Sequence, residues 1–247
     1  MPTARLLLDP PATGDWNMAV DEALLASAGA TGTASLRFYT WSEPTLSLGY
    51  FQDHTERESH RPSQAAPIVR RATGGGAILH DRELTYSFVA PIADRLSADV
   101  ERLYYAFHET LIAVLAEQGI AAELCTQPVT HPRGAEPFLC FQRRSTGDVL
   151  LGEHKIGGSA QRRHYGAVLQ HGSILLSESP RAPELPGIAE IAAHSLTTTD
   201  LLALWQPRLM ARLDLEMVPG ELSSTEQEQA REFLLGKFAR PEWTLRR

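Results

Sequence analysis

Arg70-Arg71-Ala72-Thr73-Gly74-Gly75-Gly76-Ala77-Ile78-Leu79-His80-Asp81 runs on into Glu83-Leu84-Thr85-Tyr86-Ser87, and the rest of the chain is read around this stretch. Two cationic side chains end an apolar run, Pro67-Ile68-Val69. Three glycines follow, which leave the backbone free to take positive φ and to approach a bound group closely. A second apolar run and a histidine come next. The order predicts strand, glycine turn, strand, with a concave backbone wall between the arginines and the histidine. Such a wall suits an anionic or carbonyl-bearing ligand, because free amides and guanidinium groups both favour negative charge. A glycine triplet between strands serves equally as a plain turn. No Lys-Ser or Lys-Thr pair follows the glycines, so this is not a P-loop. The strand-like run behind them also rules out a dinucleotide fingerprint.

The chain has 247 residues, 43% hydrophobic and 21% charged, as in an ordinary globular protein with a real core. With 23 Lys and Arg against 30 Asp and Glu, the net charge is −7. That argues against a nucleic-acid-binding or anionic-membrane surface, though a local basic patch could still meet an acidic partner. No apolar run approaches the roughly 20 residues of a membrane span. Met1-Pro2-Thr3-Ala4-Arg5 leads into a strand-like run and not a secretory signal. Two cysteines, Cys125 and Cys140, are too few for a disulfide framework and read as reduced thiols of a cytoplasmic protein. The histidines lack metal-ligand spacing, so no structural zinc is expected, and no other cofactor is expected either.

Working outward, Arg5 to Leu8 reads as a strand stopped by Asp9-Pro10-Pro11. Gly14-Asp15 opens a helix with Trp16, Val20, Ala23, Leu24 and Ser27 on one face, ended by Gly29 and Gly32. Two strands, 36–41 and 45–50, flank the Ser42-Glu43-Pro44 turn, and residues 53–66 read as a polar loop. After the strand Leu84 to Val89 comes the strongest helix. Ser97 is its cap, Asp99 and Glu101 sit in the first turn, Leu103, Phe107, Leu111 and Leu115 lie in its stripe, and Gly119 stands at C′. A short strand, 120–124, precedes the loop 125–136. Asp148 to Ile156 reads as a hairpin turning near Gly152, and Ala167 to Leu176 as a further strand. Beyond residue 177 the pattern is helical. Pro207 predicts a kink or break in the helix 199–213, and Ser223 with Glu226 has capping-box spacing. The expectation is one α+β domain over 1–247, with mixed and antiparallel sheets packed against helices and 178–247 as a mainly helical flank.

Cys140 and Lys155 stand out chemically. A nearby ammonium raises the thiolate fraction of a thiol, and a lysine in a dry pocket can exchange protons when burial lowers its pKa. The two residues lie 15 apart across the hairpin, so their side chains can face each other from adjacent strands. A cysteine beside Phe138, Leu139 and Phe141 also fits a small buried hydrophobe, and a hairpin lysine a solvated charge. His80 and His171 fit core histidines equally well. Cys125 reads as structural.

Four segments together resemble the lipoyl/biotinyl protein ligase and acyltransferase superfamily. They are Asn17-Met18-Ala19-Val20-Asp21-Glu22-Ala23-Leu24-Leu25, Trp41 to Gly49, Arg70 to Ser87, and Lys155-Ile156-Gly157-Gly158-Ser159-Ala160-Gln161 with Gln170-His171-Gly172-Ser173. A weaker match closes the chain at Glu242-Trp243-Thr244-Leu245-Arg246-Arg247. Within the superfamily the chain is most similar to the cysteine-dependent octanoyltransferases of Gram-positive lipoate synthesis. Cys140-Phe141 stands where their nucleophile does and Lys155 where their activating lysine does. The resemblance implies transfer of octanoyl from acyl carrier protein, through a Cys140 thioester and without ATP, to a lysine of a lipoyl domain such as the glycine cleavage H protein or an E2 subunit. It implies substrate contacts at Arg70, Arg71, Gly74, Gly75, Gly76, His80, Tyr86, Gly158, Ser159, Ala160, His171 and Gly172, with a tunnel of apolar strand residues for the acyl tail. Arg70, Arg71, Arg143, Arg144, Arg162 and Arg163 would give acidic partners a basic rim.

Two positions depart from the octanoyltransferase pattern. Gly76 stands where those enzymes usually carry Arg and gives the glycine triplet more typical of ATP-using lipoate ligases, and Gln142-Arg143-Arg144-Ser145-Thr146-Gly147-Asp148 stands where their Cys-Phe is followed by a Pro-Ser and a Tyr-acidic pair. An ATP-dependent ligase, an amidotransferase between lipoyl domains and a non-catalytic acyl-binding relative are the alternatives.

Overall fold

A computed structural model describes residues 3–92, 100–132 and 134–247. In chain order its elements are β1 (Thr3–Leu8), α1 (Gly14–Thr31), β2 (Ala34–Tyr39), β3 (Thr45–Leu48), β4 (Ile68–Arg70), β5 (Ile78–His80), β6 (Glu83–Pro91), α2 (Val100–Glu117), β7 (Ala122–Leu124), β8 (Val149–Leu151), β9 (His154–His164), β10 (Ala167–Leu175), α3 (Ile188–Ala192), α4 (Thr198–Leu213), β11 (Glu216–Pro219), α5 (Ser224–Phe233) and α6 (Pro241–Thr244). Ser97 and Asp99, expected at the start of α2, lie outside the described residues. No helix among the described residues is long and apolar enough to cross a membrane.

The fold is α+β. Its main sheet has the order β11-β1-β2-β6-β10-β9-β8-β7, parallel from β11 to β2 and antiparallel beyond. The period-2 alternation of strands sorts β6 and β10 into two faces. Leu84, Tyr86, Phe88, Val168 and Ile174 join Leu103, Phe107 and Leu111 of α2 and Leu201, Trp205 and Leu209 of α4 in one core. On the other face Val89 and Leu169 pack with Val20, Ala23 and Leu24 of α1. Between these apolar ends, Glu83, Thr85, Ser87, His171 and Ser173 are buried polar groups on that second face. This polar strip is where the site forms.

A small sheet of order β4-β3-β5 covers the strip. The strands flanking the glycines therefore do not pair with each other. β3 lies between them, parallel to β4 and antiparallel to β5, so residues 71–77 form a broad arch over its end. Likewise β2 and β3 belong to different sheets, and the Ser42–Pro44 turn carries the chain between layers.

Two further expectations are corrected. α1 runs through Gly29 to Thr31 before Gly32 caps it. A Cβ at Gly29 would stand 1.8 Å from the Tyr165 carbonyl oxygen, so this glycine admits the β9–β10 turn. α4 is unbroken at Pro207, which sits on the exposed side opposite Leu201, Trp205, Leu209 and Leu213. There the carbonyl freed by the missing N–H faces solvent. The capping box at Ser223 and Glu226 is present, and Glu226 also pairs with Arg5 of β1 at 2.5 Å. β11 extends the main sheet, so the C-terminal flank is not wholly helical.

Candidate active site

A cavity of about 250 Å³ lies between the glycine arch, the Cys140 turn and the β9–β10 ladder. The residues beside Cys140 fix its place. Leu139 is 0% and Phe141 5% exposed, both packed in the core of the small sheet. The Ala77 N–H donates to the Phe138 carbonyl at 2.9 Å, and the Cys140 N–H to the Ala77 carbonyl at 2.7 Å. Cys140 thus begins a 3₁₀ turn, Cys140–Gln142, and does not sit on a strand facing Lys155 across the hairpin. With its neighbours filling the apolar space, the half-buried thiol borders the cavity. Cys125, by contrast, is buried with its Sγ donating to the Gln127 carbonyl at 3.5 Å.

Lys155 reaches the same point from β9. It is 7% exposed, and its Nζ donates to Cys140 Sγ at 3.9 Å. The same Nζ stands 2.9 Å from Asp148 Oδ2. Asp148 is itself anchored by the Ser145 N–H at 2.7 Å and the Tyr104 hydroxyl at 3.2 Å. Burial penalises the ammonium, but a Cys140 thiolate and the Asp148 carboxylate outweigh it, and the Lys155 pKa ends above the ordinary lysine value. Lys155 is therefore an ammonium beside a Cys140 thiolate, and its pKa moves up, not down as expected from burial alone.

Arg71 adds a second cation and shapes the arch. Its Nη2 donates to the Gly74 and Gly76 carbonyls at 2.7 Å each, and its Nη1 to the Ser47 carbonyl at 3.0 Å. Burial pulls its pKa down to about 10, so it stays charged at neutral pH. Gly75 takes φ +94°, and a Cβ on Gly49 would lie 1.9 Å from its carbonyl oxygen, so the fold of the arch requires both glycines.

Two histidines also line the cavity. His171 Nε2 meets Thr73 Oγ1 at 2.6 Å, and its Nδ1 faces Asp21 Oδ2 at 3.3 Å. Burial opposes the Asp21 charge, yet hydrogen bonds from His171 and Ser87 and the Arg37 guanidinium hold its pKa below the usual carboxylate value. His80 stacks on Trp41 with ring centroids 3.8 Å apart, its Nδ1 2.5 Å from Glu83 and its Nε2 2.8 Å from Ser47.

Of the residues expected from sequence, Cys140, Lys155, Arg71, Gly74, Gly75, His80, Gly158, Ser159, Ala160, His171 and Gly172 border the cavity together. Arg70, Gly76 and Tyr86 do not. Arg70 is fully buried and grips the Gly49, Gln52 and Thr244 carbonyls, while Tyr86 donates its hydroxyl to Ser159 at 3.0 Å. A Cβ on Gly76 would lie 2.8 Å from Arg143 Nε. Arg70 and Arg71, at 0% and 3% exposure, cannot form a rim. Arg143, Arg144 and Arg162 are half-buried and Arg163 is exposed. The apolar lining comes from Met18, Ile78 and Phe141, whereas β6 and β10 contribute polar Thr85, His171 and Ser173. The apolar lining is thus drawn from a helix, a strand of the small sheet and the Cys140 turn, and not from β6 and β10. Sequence reasoning also missed Asp148 and Asp21. An Asp-Glu pair inside an otherwise apolar helical stretch was the available signal for Asp21. Among the described residues no group of three or more His, Cys, Asp or Glu is arranged to hold a metal ion.

The comparisons with known proteins agree with this architecture. The octanoyltransferase LipM of Carboxydothermus hydrogenoformans is 32% identical over 271 aligned positions, covering 100% of both chains. That of Symbiobacterium thermophilum is 34% identical, covering 98% of each. Among solved structures, lipoate-protein ligase A bound with ATP matches with a TM-score of 0.76 at 22% identity over 98% of both chains. A bi-partite lipoate protein ligase from Thermoplasma acidophilum, described with its E2 lipoyl domain, gives 0.78 at 20% identity over 99% of this chain and 97% of that one. The two structural likenesses concern the fold. Residues 13–184 match the lipoyl protein ligase A/B catalytic domain, and the chain belongs to that family.

Proposed function

We infer that Cys140 carries the octanoyl group as a thioester on its way to a protein lysine. The protein is an octanoyltransferase of lipoate biosynthesis, as its full-length relatives are by name. The observation that carries the thioester reading is the Lys155 ammonium 3.9 Å from the Cys140 sulfur inside a cavity. With Arg71 it sets two cations beside the sulfur, whose thiolate is the form that attacks a thioester carbonyl. The backbone of the glycine arch borders the carbonyl position and would hold the developing oxyanion. Burying six methylenes of the acyl tail contributes roughly 5 kcal/mol at about 0.8 kcal/mol each, enough to favour chain length.

The donor is octanoyl-acyl carrier protein and the acceptor a lipoyl domain, either the glycine cleavage H protein or an E2 subunit. Both are met by half-buried Arg143, Arg144 and Arg162 and by exposed Arg163, with Arg70 and Arg71 taken out of that role by burial. The two free thiols suit a reducing cytoplasm. Gly76 was the sequence feature that favoured an ATP-using ligase. The Arg143 guanidinium occupies the space a side chain at residue 76 would need, so an arginine stands there in this chain too, supplied from beyond Cys140.

The test is transfer without nucleotide. Octanoyl-acyl carrier protein and a lipoyl domain are incubated with the enzyme, and the domain lysine is examined by mass spectrometry. Octanoylation in the absence of ATP is the expected result. Modification that appears only with free octanoate, ATP and Mg²⁺ would replace this reading with a ligase.

A further inference from the structure

On the transfer reading above, two protein partners reach Cys140 in turn, by arms of different length. The acceptor's lysine carries its amine on a four-carbon stem, so the acceptor's backbone has to come down to the mouth of the cavity. Acyl carrier protein holds its acyl group on a longer prosthetic arm and can sit further off. The surface flush with the glycine arch therefore suits the acceptor.

Phe51 stands on that surface. It is 69% exposed, more than any other large apolar side chain among the described residues. Gly74 of the arch borders the cavity, and a Cβ there would lie 3.9 Å from the Phe51 ring. An aromatic ring left in water beside the reacting site is the kind of anchor that protein interfaces use. The segment that carries it is tied to the arch. The Tyr50 N–H donates to the Thr73 carbonyl at 2.8 Å, and the Tyr50 and Phe51 rings meet edge to face with centroids 4.8 Å apart.

Cations surround this ring. The Arg246 guanidinium lies between Tyr50, 3.8 Å from its ring, and Trp243, 4.1 Å from its ring, and Nη2 donates to the Tyr50 carbonyl at 2.9 Å. Arg247 stands 5.4 Å from the Phe51 ring. Arg162 stands 5.5 Å from Tyr50 and donates to the Ala72 carbonyl at 2.6 Å, which joins this surface to the basic rim. The charges crowd one another. Burial lowers the Arg70 pKa, and Arg246 and Arg247 lower it further, with Asp53 and Glu56 pulling the other way. The hydrogen bond and charge of Arg246 bring the Tyr50 phenol below its ordinary value, and Arg162 and Lys237 add to this. A chain of net charge −7 thus gathers cations beside its active site, and an acidic partner would relieve their repulsion.

Resting on that transfer reading, we propose that Phe51, flanked by Arg246 and Arg247, docks the acceptor, an acidic domain with carboxylates around its target lysine. The ring anchors the domain, the guanidinium groups steer it, and the lysine enters past Gly74 towards Cys140. The closing Glu242–Arg247 segment gains a role in this way. Trp243 Nε1 donates to the Arg70 carbonyl at 2.9 Å and holds the two arginines against the Tyr50–Phe51 segment.

Binding and the two half-reactions are measured apart. Phe51→Ala and Arg247→Glu should acylate Cys140 from octanoyl-acyl carrier protein at close to the wild-type rate, which also shows that they fold. Each should bind an unmodified lipoyl domain about tenfold more weakly or worse by isothermal titration calorimetry. In transfer from the loaded enzyme each should raise the KM for the domain and keep kcat. Arg247→Glu should also flatten the salt dependence of binding. Unchanged domain binding in both variants overturns the assignment. So does slowed acylation with an unchanged KM for the domain, which would give the surface to the donor. A fall in kcat at constant KM overturns it too, by making these residues supports of the arch. Calorimetry needs no chemistry. A wild-type enzyme that forms no thioester yet binds the domain through Phe51 would sink the thioester reading and leave the docking surface standing.

Discussion

Lys155 owes its value to neighbours that hold its charge in place. Asp148 fixes the ammonium at 2.9 Å, and the ammonium stands 3.9 Å from Cys140 Sγ. Lys155→Ala should therefore slow alkylation of Cys140 by iodoacetamide at neutral pH by about tenfold or more, since the thiolate loses its nearest cation. Asp148→Asn should slow Cys140 acylation, since the ammonium loses the carboxylate that holds it beside the sulfur. Alkylation at an unchanged rate in Lys155→Ala would separate the lysine from the thiol. That Cys140 and Lys155 meet was anticipated from sequence, through Cys140-Phe141 and the Lys155–Gln161 segment. Asp148 was not, since a lone aspartate ahead of a strand looks like turn chemistry. Nor was the exchange of space between Gly76 and Arg143, which are 67 positions apart in the chain and meet only through the Cys140 turn.

Helix α2 is tied to the site by a histidine. His108 Nδ1 donates to the Gly147 carbonyl at 2.6 Å, so its Nε2 accepts from Ser159 Oγ at 2.5 Å. The residue after Gly147 is Asp148, so this contact braces the segment that holds Lys155. Burial pushes the His108 imidazole down to about 4. The unfolded chain takes up that proton near pH 6.5 while the folded protein refuses it until about pH 4. Stability is thus intact above pH 6.5 and falls as the pH drops through that window. Urea unfolding at pH 7 and pH 5 should show the loss, and His108→Gln should flatten it; an equal loss in the variant would assign it elsewhere. Periodicity made α1, α2, β6 and β10 readable, because each buries a regular apolar face. The pairing of β3 with both β4 and β5 was not readable, since three-residue strands carry too little pattern to state their partners. Pro207 misled because propensity says nothing about which side of a helix faces water.

Across the described residues, two sheets enclose a buried polar strip, and the candidate site borders it. Glu83, Thr85, Ser87, His171 and Ser173 alternate with core residues on β6 and β10, so the strands that build the apolar core on one face also present polar groups to the cavity side. Family and fold were legible before any geometry, through motifs spread from α1 to β10. Which groups touch one another was not, because Asp21, Thr73 and His171 come from a helix, a loop and a strand. The account stands or falls on one covalent species. The enzyme, mixed with octanoyl-acyl carrier protein and no ATP, is analysed by intact mass before and after hydroxylamine. The account predicts one octanoyl adduct on the wild-type chain, removed by hydroxylamine and absent from Cys140→Ser. No adduct on the wild type, or an adduct that persists in Cys140→Ser, would contradict it.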